Sequence, residues 1–304
     1  MIVKKLVLGL LSCPEFSVEC IQELLRYDFG NDDIEWGRPH QVLEWLQSLS
    51  KVRFKNWTIE EVYRILSESE ASLENYKRHK IHVVAQWEES YPIYLKRYDV
   101  TPPIIFVKGD LSKLKELHCI ALIGAREACS WSNDIQKRLA YIFSDRGYGI
   151  VGGLAKGLDT SAHFGCLEAK GTTIAVLAHG FGRMVYPKEN YKLAQEIIDK
   201  GGCLISTYGW RKPPTRKRFL ERNIIQAFLC QGAVFTAASK SGGTAYTIRF
   251  MEKLGMPIGY FFHEQQSWSP RGLNDYFFTK DKGFRLSSQT DIDTFLEEIA
   301  SRRR

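Results

Sequence analysis

The chain has 304 residues, 44% hydrophobic and 25% charged, enough to bury a large core with a smaller domain beside it. Its net charge of +7 allows a polyanionic partner without demanding one. Seven scattered cysteines without a C-x-x-C pair and seven dispersed histidines argue against a disulfide framework and a metal site, no apolar run is long enough for a membrane span, and no cofactor is expected. Reduced, packed thiols in a cytoplasmic protein are the expectation.

The first stretch, "MIVKKLVLGLLSCP", has the two lysines, apolar run and cysteine of a lipoprotein leader. Its apolar run, Leu6 to Leu11, is only six residues, below the roughly 7–15 of a secretory core. A short amphipathic helix is therefore expected. "SVECIQELLRY" places Val18, Ile21, Leu24 and Leu25 on one helical face, and "QVLEWLQSL" and "TIEEVYRIL" repeat that period. Residues 1–78 are expected to be a helical packing domain.

From residue 79 to 304 the texture changes to one α/β domain with a C-terminal helix. "KIHVVA" is a short strand, and "YPIYLKRYDVTPPIIFVKGD" a proline-punctuated connector ending in another. The strands "CIALIG", "YGIVGG", "TTIAVLAHG", "GCLISTYG", "AVFTAAS" and "PIGYFF" then alternate with five helical segments, the fourth of them "LERNIIQAFLCQG", starting at Leu220. Each segment ends in glycine, the usual helix stop, and Ser132 or Asn133 is the expected N-cap of the first. Continuous apolar strands separated by helices define a doubly wound, mostly parallel, Rossmann-like sheet. Ligands of such sheets sit beyond the carboxyl ends of the strands.

Three loops fall on that rim. Gly124 and Arg126 follow one strand, and Gly152, Gly153, Lys156 and Gly157 follow the next, with Asp159 as an expected helix cap. Lys240, Ser241, Gly242, Gly243 and Thr244 repeat the logic further on. Glycine lets backbone N–H groups approach an anion, the following helix adds its positive end, and arginine offers a planar fork to phosphate. Neither the G-x-G-x-x-G dinucleotide fingerprint nor a Walker A loop is present. Between two later strands, "GWRKPPTRKRFLERN" interleaves Trp210 and Phe219 with six basic residues, an arrangement suited to stacking bases while tracking a phosphate backbone.

From Lys80 to Ala300 these blocks resemble, in order, the DNA-processing protein A (DprA/Smf) family. "ALIGARE" is similar to its G-S-R loop, "GGLAKGLDTSAH" to its G-L-A-x-G-I-D helix, "FLERNIIQAF" to its R-N segment and "SKSGGTAYT" to its S-G-S loop. The resemblance implies a homodimeric, non-catalytic binder of single-stranded DNA that loads RecA. It implies phosphate binding by Arg126 and Lys156, and basic and stacking roles for Arg216 and Phe219, just ahead of Arg222 and Asn223. Ala125 and Gly243 replace family serines, Thr207 stands where glutamate is usual, and the winged-helix domain of longer members does not follow. This shortened layout resembles family members that act as the partner or antitoxin of a co-encoded toxin in phage defence. The expected function is thus single-stranded DNA binding that controls a partner protein. The alternatives are RecA loading, and a nucleotide sensor or nucleotide phosphoribohydrolase, for which Thr247 stands where an acid is needed.

Overall fold

The structure, a computed structural model, describes residues 2–13, 16–26, 38–48, 54–97, 101–116, 118–263 and 270–302. Tyr27, Leu49, the connector residues Tyr98 to Val100 and the terminal Arg303 and Arg304 lie outside them. The chain forms two compact units, one of residues 1–89 and 98–106, the other of residues 90–97 and 107–304.

The smaller unit contains α1 (Ile2–Ser12), α2 (Val18–Leu25), α3 (Pro39–Ser48), α4 (Ile59–Arg78), β1 (Ile81–Ala85) and the start of β2 (Ile104–Gly109). Its apolar stripes face inward: Leu6, Val7 and Leu10 of α1, Ile21 and Leu24 of α2, Val42 and Leu46 of α3, and Val62 and Ile65 of α4 are buried. The expected amphipathic first helix is therefore a packed helix. Thr58 and Glu61 form a reciprocal capping box that fixes where α4 begins. Phe16 stacks on Phe54 at 5.2 Å, and Trp57 packs edge-on against both.

In the larger unit, α5 (Lys113–Glu116) and β3 (Cys119–Leu122) are followed by α6 (Ser130–Asp145), β4 (Gly149–Gly152), α7 (Leu158–Glu168) and β5 (Thr173–Leu177). Then come α8 (Tyr191–Asp199), β6 (Cys203–Ser206), α9 (Arg216–Phe228), β7 (Gly232–Phe235), α10 (Gly243–Lys253) and β8 (Ile258–Tyr260). The unit closes with α11 (Gly272–Thr279), β9 (Phe284–Arg285) and α12 (Gln289–Ser301).

Strands β6-β5-β4-β3-β7-β8-β9 lie side by side, every pair parallel. Alternating side chains leave by opposite faces. Ile120, Leu122, Ile150 and Val234 pack with Phe143 of α6 and Phe295 and Ile299 of α12. Phe235, next to Val234, points the other way onto Phe277 of α11, with ring centroids 5.3 Å apart. Helices thus cover both faces, as a buried parallel sheet requires, and the fold is Rossmann-like.

Three local expectations are corrected. The N-cap of α6 is Cys129; Ser132 and Asn133 lie inside the first turn, where Asn133 Nδ2 donates back to the Ala128 and Cys129 carbonyls. Asp159 is the second residue of α7, after the N-cap Gly157, and its carboxylate serves the preceding loop. Of the five glycine stops, Gly147, Gly201 and Gly255 take positive φ, but at α7 Lys170 does so before Gly171, and Gly232 is the first residue of β7.

Candidate functional site

The sheet order reverses direction around β3: the chain goes from β3 out to β4, β5 and β6, then returns to β7 on the other side. The loops after β3 and β7 diverge, and a crevice opens between them. Backbone bonds fix its base, with Ile123 N donating to Val234 O (3.1 Å) and Ala125 N to Ala237 O (3.0 Å). Thr244 Oγ1 donates to Gly124 O at 2.9 Å and ties the two loops together. Gly242, at φ 101°, turns the chain into α10, a conformation costly for any residue with a Cβ. The crevice widens into a cleft of about 1170 Å³ beside the first turn of α10.

The third wall is α9. Thr215 caps it, its Oγ1 accepting from Arg218 N at 3.2 Å, so the helix starts at Arg216 rather than near Leu220. That earlier start puts Arg216, Phe219, Asn223 and Gln226 on one helical face, and all four line the cleft. The Arg126 guanidinium lies 5.1 Å over the Phe219 ring and that of Arg222 lies 5.8 Å from it, both in cation–π range. Tyr186 leans on the same ring with centroids 5.5 Å apart.

Arg222 works below the surface. It is 4% exposed, and its Nη1 donates to the carbonyls of Gly153 and Val176 while Nε donates to Asn223 Oδ1. Asp159 Oδ2 accepts from the N–H groups of Gly153 (2.8 Å) and Ala155 (3.4 Å). Burial pushes the Asp159 carboxyl up against the opposing pull of Arg222 and the two loop amides. Burial also lowers the Arg222 guanidinium, and Asp159 counters it.

Of the residues singled out from sequence, Gly124, Arg126, Arg216, Phe219, Arg222, Asn223, Ser241, Gly242, Gly243 and Thr244 line the cleft. Gly153, Lys156, Gly157 and Lys240 do not. Gly153 lies behind it, pressed so closely on Arg222 that a Cβ would collide with the guanidinium. Lys156 is exposed and pairs with Glu189 at 2.8 Å. The cleft adds residues not assigned to a ligand site from sequence: Glu127, Gln226, Tyr246 and Arg249, together with Asp159, expected only as a cap, and Thr247, noted only for the acid it replaces. Tyr246 and Arg249 are both exposed and three residues apart on α10, a spacing that would have flagged them. Thr247 is buried, and its hydroxyl donates to Gly243 O within the helix. Among the described residues, no three His, Cys, Asp or Glu side chains gather as metal donors, and no helix is long and apolar enough to cross a membrane.

An open parallel sheet with a cationic, glycine-lined cleft at its switch point places this chain among the doubly wound, Rossmann-like α/β proteins. Residues 82–293 match the family of DNA recombination-mediator protein A, and the chain belongs to that family. It is 30% identical over 172 residues to the DNA processing protein DprA of Bacillus subtilis, covering 57% of each chain. With the Escherichia coli protein Smf the identity is 31% over 206 residues, 66% of this chain and 54% of the other. With DprA of Streptococcus pneumoniae it is 36% over 169 residues, 55% and 58%. The chain thus spans a little over half the length of these curated relatives.

Among solved structures, DprA of S. pneumoniae superposes with a TM-score of 0.66 over 92% of this chain and 98% of its own, at 23% identity. DNA processing protein A of Helicobacter pylori, described for its single-stranded DNA binding mode, superposes at 0.62 over 72% and 97%, at 24% identity. Both likenesses are of fold.

Proposed function

We propose that this protein binds single-stranded DNA in the cleft between the loops after β3 and β7 without cleaving it. The observation that carries the reading is convergence: loop amides at Gly124 and Gly242 to Thr244, exposed Arg126, Arg216 and Arg249, and aromatic rings at Phe219 and Tyr246 share one cleft. Amides and arginines suit phosphates, and rings suit unpaired bases. Family membership and the H. pylori relative's single-stranded DNA binding support the same ligand. Of the two carboxylates lining the cleft, Glu127 is exposed and Asp159 is committed to loop amides, and Thr247 fills the place an acid would need for nucleotide hydrolysis. Lys156, Gly157 and Lys240 belong to the proposed site as its flanks, and Gly153 supports it from behind.

Two outputs follow from that binding. One is control of a partner protein such as a co-encoded toxin, for which the helical unit, almost wholly outside the segment the family model matches, offers a surface. The other is loading of RecA on the bound strand, which the family's recombination-mediator description supports. In either case we propose that a cytoplasmic homodimer is the working form.

The test is fluorescence anisotropy of a labelled single-stranded oligonucleotide across a salt series, with gel analysis of the recovered DNA. Salt-sensitive binding weakened by Arg126→Ala, with intact DNA, supports the reading. An absence of binding at low salt overturns it, and shortened or base-depleted product overturns the non-catalytic part.

A further inference from the structure

The loops that follow β5 and β6 are joined by backbone. Gly180 N donates to Lys212 O (2.9 Å), Gly182 N to Trp210 O (2.8 Å), and Arg183 Nε to Arg211 O (2.7 Å). The result is a two-loop flap beside Phe219 that carries exposed Arg183, Lys188, Arg211 and Lys212.

Tyr186 is fixed in this flap at its backbone, with one side of its ring on Phe219. Its N–H donates to Nε2 of the buried His179 at 3.3 Å. That places the His179 proton on Nδ1, which donates to Gly180 O at 3.1 Å. Ser206 Oγ at the end of β6 donates to the His179 carbonyl at 2.8 Å, anchoring the turn to the sheet. Tyr186 as a whole is 48% exposed. Phe219, by contrast, is half-buried under two guanidinium groups. The two rings are 5.5 Å apart and tilted by 52°, too close for a base to slip between them. Phe219 therefore backs Tyr186 and holds its outer surface in place.

We propose that Tyr186 is a base-stacking platform just outside the cleft, and that the flap cations Arg183 and Lys212 carry the strand's phosphates past it. The ligand is a single-stranded polynucleotide long enough to leave the cleft. Stacking on an aromatic ring tolerates any base, so this extension raises affinity without sequence preference. The proposal rests on the cleft being a single-strand site and adds a second contact region to it.

The experiment compares a dinucleotide with a long oligothymidine, and scans the latter with single 2-aminopurine substitutions. Wild-type protein, Tyr186→Ala and Tyr186→Phe are used. Tyr186→Ala is expected to weaken the long strand roughly 5- to 100-fold while leaving the dinucleotide unchanged, and Tyr186→Phe to bind as wild type. Quenching of 2-aminopurine outside the cleft should be present in the wild type and the phenylalanine variant and lost in the alanine variant. Equal long-strand binding by wild type and Tyr186→Ala overturns the platform while leaving the cleft reading intact. An equal loss for dinucleotide and long strand also overturns it, because Tyr186 would then act only by positioning Phe219. A wild-type protein that binds neither probe removes the single-strand site itself, and the platform with it.

Discussion

Arg222 and Asp159 hold opposite ends of one residue. The guanidinium takes the Gly153 carbonyl and the carboxylate takes the Gly153 N–H. Both side chains are buried, and each is the other's principal compensating charge. The loop after β4 is thereby clamped behind the cleft, and Arg222, basic as it is, is 4% exposed with Nη1 and Nε spent on the protein's own oxygens.

Removing one of two buried opposite charges that compensate each other across Gly153 leaves the other uncompensated. Arg222→Ala is therefore expected to lower stability by about 3–5 kcal/mol, read as a lower urea midpoint. Its loss of DNA binding would accompany loss of folded protein at the assay temperature.

Arg126 is exposed, and its contact with Phe219 is a surface cation–π pair. Arg126→Ala is expected to change stability by less than about 1 kcal/mol. For each phosphate that Arg126 neutralises, the substitution should reduce the slope of log affinity against log salt by about 0.7. Equilibrium unfolding and the anisotropy salt series separate these two effects from the Arg222 result. An unchanged salt slope would show that Arg126 neutralises no phosphate.

Thr244 joins the two loops that frame the crevice through one hydroxyl bond to Gly124 O. Thr244→Val keeps the shape and deletes the donor. About 0.5–1.5 kcal/mol of stability should be lost, and single-strand affinity should fall because the first turn of α10 is no longer tied to the Gly124 loop by a side chain, the backbone bonds at the crevice base remaining. Rescue by Thr244→Ser would assign the effect to the hydroxyl.

Glu189 competes with any anion for Lys156, since the two are paired at 2.8 Å on the surface. An exposed pair contributes little to folding, so Glu189→Gln should leave the urea midpoint unchanged. It should strengthen single-strand binding at low salt by freeing the lysine. Lys156→Ala alone should weaken binding less than Arg126→Ala, because Lys156 stands off the cleft lining.

His163 is fully buried between α7 and β5. Thr173 Oγ1 donates to Ile150 O and so accepts from His163 Nδ1, which leaves Nε2 bare and buried. Burial, with the Arg222 charge nearby, depresses its pKa from 6.5 to about 3. The unfolded chain takes up a proton below pH 6.5 that the folded chain refuses. The stability this histidine contributes is complete above that pH and is lost as pH falls toward 3. Between pH 6.5 and 5 the loss should approach about 2 kcal/mol, measured by urea unfolding, and His163→Asn should flatten that part of the profile.

The strand order of residue types carried most of the fold. Apolar runs such as "CIALIG" and "TTIAVLAHG" between helix-length segments have no stable home except a covered parallel sheet, and glycines at the strand ends mark where backbone meets ligand. The same local logic misplaced the caps. At α6 a side-chain cap is absent because Asn133 bonds back to carbonyls instead, and at α9 Thr215 captured the helix start four residues early. That shift is why Arg216 and Phe219 sit on a helix face rather than in a loop.

By itself the sequence determined which residue types are available: glycine turns, arginines and rings in the order of one family, because covalent order and hydrophobic period are local properties. Only the tertiary structure decided their division of labour. Burial sent Arg222 inward to a backbone carbonyl, left Arg126 outside on Phe219, tied Lys156 to Glu189, and brought Tyr246 and Arg249 into the cleft. Whether a cation meets a ligand or its own chain depends on which groups lie within hydrogen-bond reach and how much water remains around it. Those quantities exist only once the strands have paired and the helices have packed across them.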